Sequence, residues 1–500
     1  MKLFPQSVLV AAVSLVLLGC GVDDSGYVPP QPEPEKPKPE EPQPEEPKPE
    51  EPKPEEPKPE EPKPEEPSVP LPRPAVPQVA AQACDVSFEK WKSIKAKSEI
   101  INAITAYGCN GMLTSIDESL SSTGTDSSSQ NISYVWGKSL SKPTIINYYV
   151  DGKLNSTQYS HDIETKTNCL ADDQTLEKLK DKTMLDKKRT DIEALLGCAG
   201  LYDYSLSDGS DNYVSYYVWR NKLDDKELQV VFDKDDKFLT YQITTVAAAP
   251  KTSSCHPNYS GWQSITRRMI LSDAQTKLGG CEGINRGSDE KDESVKDWGK
   301  SDGSTDRVIL QLDKDKYVTA KHFYAKDAVS CVPKDILSWQ NTKLKSSYAD
   351  VKQAMQCEGV LKESHTDIDV DFSNPKYVTS VYTWKTKLLS DENLDVFYTM
   401  YFAGDQLFNK TYSKPTFKTQ CKPTHQDFNT LTLNSSWNVV ESSFTCGAAE
   451  LIYSQESADA KVRQYAWGSV DSKNVNTYIY AFVDKNNKLV SKYIQFSPAN

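Results

Sequence analysis

Cations are in short supply in this sequence. Lysine and arginine number 58 against 71 aspartates and glutamates, a formal charge of -13. The densest basic run is only Lys187-Lys188-Arg189. Phosphate backbones are held by basic stripes, so nucleic acid is excluded as a partner. Histidine is scarce as well: His161, His256, His322, His365 and His425 complete the set, none in HExxH spacing. There is no CxxC pair, no GxSxG elbow, no GxxxxGK[ST] loop and no GxGxxG turn. Asp367-Ile-Asp-Val-Asp371 starts like a calcium loop but places Phe372 and Val378 where Gly and Glu are required. No catalytic residue, no metal site and no cofactor are therefore expected. Long apolar runs are missing too, since the stretch from Val8 to Leu18 spans eleven residues, too few to cross a bilayer.

That stretch follows Lys2 and ends in Leu17-Leu18-Gly19-Cys20, the arrangement of a secretory signal, residues 1–19. The tetrapeptide resembles the lipobox cut by the lipoprotein signal peptidase, with Leu18 bulkier than usual. The resemblance implies acylation of Cys20 and a membrane held through several acyl chains, which anchor stably where one does not. Gly21 rather than aspartate after the cysteine implies the outer membrane, on its periplasmic or its cell-surface side.

Residues 20–83 form the acylated start and a stalk. From Pro29 to Pro77 the chain is almost wholly Pro, Glu and Lys, with Pro-Lys-Pro-Glu-Glu recurring at Lys48, Lys53, Lys58 and Lys63. Nothing apolar is there to offset ordering entropy, so a disordered, polyproline-like spacer is expected. At about 3.1 Å per residue it reaches roughly 150 Å.

Beyond the stalk, ten cysteines alternate short and long spacings: Cys84 and Cys109, Cys169 and Cys198, Cys255 and Cys281, Cys331 and Cys357, Cys421 and Cys446. The recurrence divides the chain into five segments, 84–168, 169–254, 255–330, 331–420 and 421–500. Export makes disulfides the default. Pairing within each segment is the simplest connectivity, with metal binding and pairing between segments as alternatives. Closing a loop of about 25 residues is worth roughly 3 kcal/mol. Gly111, Gly200, Gly283 and Gly359 stand two places past the second cysteine and read as left-handed caps ending a helix. Trp136, Trp219, Trp298, Trp384 and Trp467 follow on strand-like runs, four of them with Tyr two places earlier, hence on one strand face. Tyr149–Leu154, Phe232–Phe238 and Phe482–Leu489 read as hairpin turns. The expected fold class is α+β: five tandem repeats, each two short helices plus a three- to four-stranded antiparallel sheet.

Asp191-Ile-Glu-Ala-Leu-Leu-Gly-Cys-Ala-Gly200, then Tyr217-Val-Trp219 and Phe232-Asp-Lys-Asp-Asp-Lys237, resemble the β-lactamase-inhibitor-protein fold, also found in small outer-membrane lipoproteins of barrel assembly. Those inhibitors have two copies where this chain has five, and no inhibitory contact residue carries over. The resemblance implies a binding role. The expectation is a non-enzymatic, multivalent array for a protein or peptidoglycan partner, Tyr148, Tyr216, Tyr398 and Tyr480 offering contact area opposite the helices. An inhibitor of a secreted hydrolase such as a β-lactamase and a cell-wall-modifying enzyme are the other readings; the ligand-binding residues are unknown.

Overall fold

The computed structural model describes residues 84–120, 128–137, 143–160, 169, 172–208, 212–220, 226–245, 255–286, 294–333, 335–385, 396–470 and 475–496. The signal segment, Cys20, the stalk and His161 lie outside the described residues. Among the described residues no helix is long and apolar enough to cross a membrane.

The helices are short and come in pairs ahead of strands: α1 (Phe88–Lys92) and α2 (Ile100–Tyr107), α3 (Asp173–Glu177) and α4 (Arg189–Leu196), α5 (Tyr259–Gln263) and α6 (Leu271–Lys277), α7 (Leu337–Asn341) and α8 (Tyr348–Met355), α9 (His425–Thr430) and α10 (Trp437–Ser443). Local chemistry sets their ends. Ser347 and Asp350 form a capping box on α8, and Thr424 and Asp427 do the same for α9. A helix of five to eight residues is not stable alone, so packing and covalent ties must hold it. Five disulfides supply the ties, each joining the chain before the first helix of a pair to the chain after the second, with Cα–Cα distances of 5.2 to 6.2 Å.

Beside each disulfide lies a buried tryptophan. The indole Nε1 of Trp136, Trp219, Trp298 and Trp384 donates to the carbonyl of Cys109, Cys198, Cys281 and Cys357 at 3.0 to 3.2 Å. Trp467 donates to Gly447 instead, at 2.9 Å. This arrangement corrects the reading of the glycines as caps. The left-handed caps come earlier, at Gly108 (φ 75°), Gly197 (φ 80°) and Gln356 (φ 56°). Gly111, Gly200, Gly283 and Gly359 lie flat under the indole, where a Cβ would stand 2.5 to 2.7 Å from ring carbons.

Twenty-one strands follow: β1 (Met112–Leu120), β2 (Ser128–Gly137), β3 (Thr144–Val150), β4 (Lys153–Ser160), β5 (Leu201–Ser207), β6 (Tyr213–Arg220), β7 (Lys226–Asp233), β8 (Phe238–Thr245), β9 (Ile284–Asn285), β10 (Val295–Trp298), β11 (Arg307–Leu312), β12 (Val318–Tyr324), β13 (Val360–Thr366), β14 (Val378–Lys385), β15 (Phe397–Ala403), β16 (Gln406–Ser413), β17 (Phe417–Lys418), β18 (Glu450–Ser457), β19 (Lys461–Val470), β20 (Val475–Val483) and β21 (Leu489–Gln495). The turns β3–β4, β7–β8 and β20–β21 are hairpins. Asp233, Asp313 and Asp484 each accept two turn amides at 2.8 to 3.0 Å, the turn role to which aspartate is suited.

The expectation of five repeats, each with its own small sheet, is corrected here. Among the described residues all 21 strands belong to one antiparallel sheet, and helix accounts for only 21%. Among the described residues four junctions join the segments: β4 with β5, β12 with β13, β16 with β18 (β17 pairing with β19 at the same junction), and β21 with β1. The last of these brings the first and last segments side by side, and one core combines Trp91, Trp136 and Tyr149 with Trp437, Trp467 and Ile494. The physical reason is that a small sheet ends in two rows of unpaired backbone groups. The outer strand of a neighbour satisfies them. β8 and β9 have no strand partner on their outer sides among the described residues.

The indole contact generates the first prediction. Gly359→Ala forces Trp384 out of its seat and should destabilise the protein by about 1–3 kcal/mol, the usual cost of overpacking. Urea denaturation measures it, and an unchanged midpoint would contradict the packing described.

Candidate functional site: the helix-free face of the sheet

Strand alternation sends every second residue to the helices and the others to the opposite face. Ile132, Tyr134 and Trp136 of β2 enter the helical core, as do Ile479, Ala481 and Val483 of β20 and Val308, Leu310 and Leu312 of β11. Their sequence neighbours line the other side. There, tyrosines share the face with polar residues such as Ser133, Ser156 and Gln229 and with apolar Val231, Phe417 and Ile452. Tyr204 and Tyr216 stack across the β5·β6 pair with centroids 4.2 Å apart. Tyr478, Tyr480 and Tyr493 group on β20 and β21, with Phe417 packed on the first two at 6.1 and 5.8 Å. The Tyr453 hydroxyl donates to Gln455 at 3.0 Å. Tyr148 is the most open, 42% exposed.

Of the four tyrosines named from the sequence, Tyr148, Tyr216 and Tyr480 sit on this face. Tyr398 does not. It is opposite Trp384 in register, 3% exposed, and packs with Tyr412 in the helical core. Tyr401 takes the outer position on β15, in contact with Phe408.

The junctions carry charge on the helical side. Lys492 of β21 meets Glu118 of β1 at 3.0 Å, with their side chains 5% and 4% exposed, and Gln130 donates to the same carboxylate at 2.7 Å. Lys410 of β16 meets Glu456 of β18 at 3.4 Å. Each Nζ also donates to the last carbonyls of a short helix: Lys492 to Phe428, Lys410 to Trp339 and Thr342. Lys321 of β12 repeats this on Trp262, Gln263 and Ile265, its ammonium 4.3 Å from the Trp262 ring centroid. Across its junction, however, the register position belongs to Thr366 rather than to an acid. Burial pushes Lys321 down to about 8. Lys410 is also lowered by burial, partly offset by Glu456.

On the helix-free side of that same junction, His322 of β12 lies opposite His365 of β13, and Tyr324 opposite Glu363. Tyr324 stacks on His322, centroids 4.6 Å apart, and carries the Arg307 guanidinium over its ring at 5.5 Å. Arg307 is held by Asp297, itself 1% exposed and shared with Arg286. Burial, then His365 and Arg307, pushes His322 down to about 4. In the sequence these histidines stand 43 positions apart, in no ligand spacing. The only signal available was that each occupies the outward position of its strand. Nearby, Lys300, Lys326, Lys362, Lys385 and Asp327 line a cleft of about 160 Å³, with Lys385 paired to Asp327.

No family model matches the chain, and no curated protein matches it. Among solved structures, a candidate β-lactamase inhibitor protein from Streptococcus mutans is similar to 33% of this chain and 90% of that chain, at 15% identity and a TM-score of 0.21.

Lys321 yields a pH prediction. An unfolded lysine titrates near 10.4, so between pH 8 and about 10 the unfolded chain holds a proton that the folded chain has released. Stability contributed through this group therefore rises with pH over that window. Measured by urea denaturation against Lys321→Met, the wild type should gain up to about 1.4 kcal/mol per pH unit. A difference that stays flat or falls would show that the site retains the charged form.

Proposed function

We propose that this protein is a lipid-anchored envelope protein that binds a protein partner through the helix-free face of its sheet and performs no chemistry of its own. The observation that carries the reading is the make-up of that face. Tyr148, Tyr204, Tyr216, Tyr401, Tyr480 and Tyr493 lie on that surface with polar neighbours such as Ser133, Ser156, Gln229 and Gln455 and with Phe417, which packs on Tyr480. Tyrosine offers large, rigid contact area at low entropy cost, and Ser, Asn and Gln supply adaptable hydrogen bonds. The lipobox-like Leu17-Leu18-Gly19-Cys20 and the proline-rich stalk support presentation away from a membrane, the outer membrane by the residue after Cys20. In this reading the five segments act through one shared surface rather than as independent modules.

Immobilised full chain is incubated with solubilised envelope proteins and, separately, with purified peptidoglycan. One protein species should be retained, and the double substitution Tyr204→Ala, Tyr216→Ala should weaken its binding at least about tenfold, as loss of aromatic anchors does. Ile101→Ala, on an exposed helix position, should leave it unchanged. Retention of peptidoglycan alone, or capture indifferent to the tyrosines, would defeat the proposal.

A further inference from the structure

His322 and His365 are cross-strand partners with ring centroids 4.6 Å apart. Glu363 precedes His365 by two positions and so shares its side of β13. Each of the three can offer one ligand atom, and these atoms lie within 4.8 Å of one another. Two ring nitrogens, His322 Nε2 and His365 Nδ1, are enclosed and make no hydrogen bond. Buried polar atoms are nearly always partnered, and an unpartnered one calls for a reason such as an ion.

We propose that His322, Glu363 and His365 form a binding site for Zn²⁺ or a similar divalent transition metal, tying the third segment to the fourth. Two imidazoles and one carboxylate are a familiar zinc set, with the fourth position left to water. Nitrogen donors disfavour Ca²⁺ and Mg²⁺, which take oxygen. Ligand atoms about 2.0–2.1 Å from a tetrahedral metal stand about 3.4 Å apart, so the three side chains need to draw in by little more than an ångström. The charge of the neighbouring Arg307 is offset in part by Asp297, which engages it at 2.8 Å. The place also suits a tie. This junction has three paired positions, against five at β16·β18 and five at β21·β1. Its buried lysine faces Thr366 where the other two face glutamates.

The test is calorimetric titration of Zn²⁺ into the chelator-treated full chain, with melting temperature recorded alongside. About one Zn²⁺ should bind per chain and raise the melting temperature. His365→Ala and His322→Ala should each weaken binding by more than roughly tenfold, the loss that even an outer-shell change brings. Should either alanine variant unfold, Glu363→Gln keeps the shape of the side chain, and should weaken Zn²⁺ binding while leaving the metal-free melting temperature unchanged. Replacing His161, His256 and His425 together should have no effect on the titration. Absence of stoichiometric binding, or binding that survives His365→Ala and Glu363→Gln, overturns the proposal. Neither result depends on whether the face binds a partner.

Discussion

Edge-to-edge pairing of strands is the interaction on which this structure depends. Each segment taken alone would leave two strand edges open, a small core, and helices too short to persist. Pairing β4 with β5, β12 with β13, β16 with β18 and β21 with β1 satisfies the backbone of both neighbours at once. A buried ion pair, Lys492–Glu118, and a half-buried one, Lys410–Glu456, accompany two of these junctions. A buried pair adds little net stability, but a mismatched one costs much, so Lys410–Glu456 and Lys492–Glu118 act against wrong registers. A one-residue slip at β21·β1 would turn Lys492 to the wrong face and leave Glu118 enclosed without its cation.

From that pairing comes the surface. Because helix-packed positions stay on one side across every junction, the opposite positions merge into one face instead of five patches. The tyrosines of the first, second, fourth and fifth segments then lie on a common ground. The third segment contributes charge and histidine there, through Asp297, Arg307 and His322. The face is thus graded along its length, aromatic over most of it and ionic near its β9 end.

What could be read from the sequence was whatever is local. The cysteine spacing gave the five pairs, the acidic turns gave the hairpins, and the Tyr/Trp alternation gave the buried strand face. The helix caps were misplaced because a glycine under an indole and a glycine at a left-handed turn look alike until the ring is in place; Gly108 and Gly111 differ by three residues and by role. Tyr398 was put on the wrong face because alternation has to be counted from a known core residue, and Trp384 is its partner only through the β14·β15 register. The joined sheet escaped for the same reason on a larger scale. Nothing in residues 112–120 announces that they will pair with 489–495. His322 and His365, 43 positions apart, meet only through such a register.

Amide hydrogen exchange along β1 tests the central claim most directly. Residues 115–119 lie between β2 and β21, so both sets of alternating amides have an acceptor strand. The account predicts that all of them exchange only with global unfolding. Protection confined to every second amide, with the others exchanging at the rate of a bare edge, would mean that the first and last segments fold apart and that the continuous face does not exist.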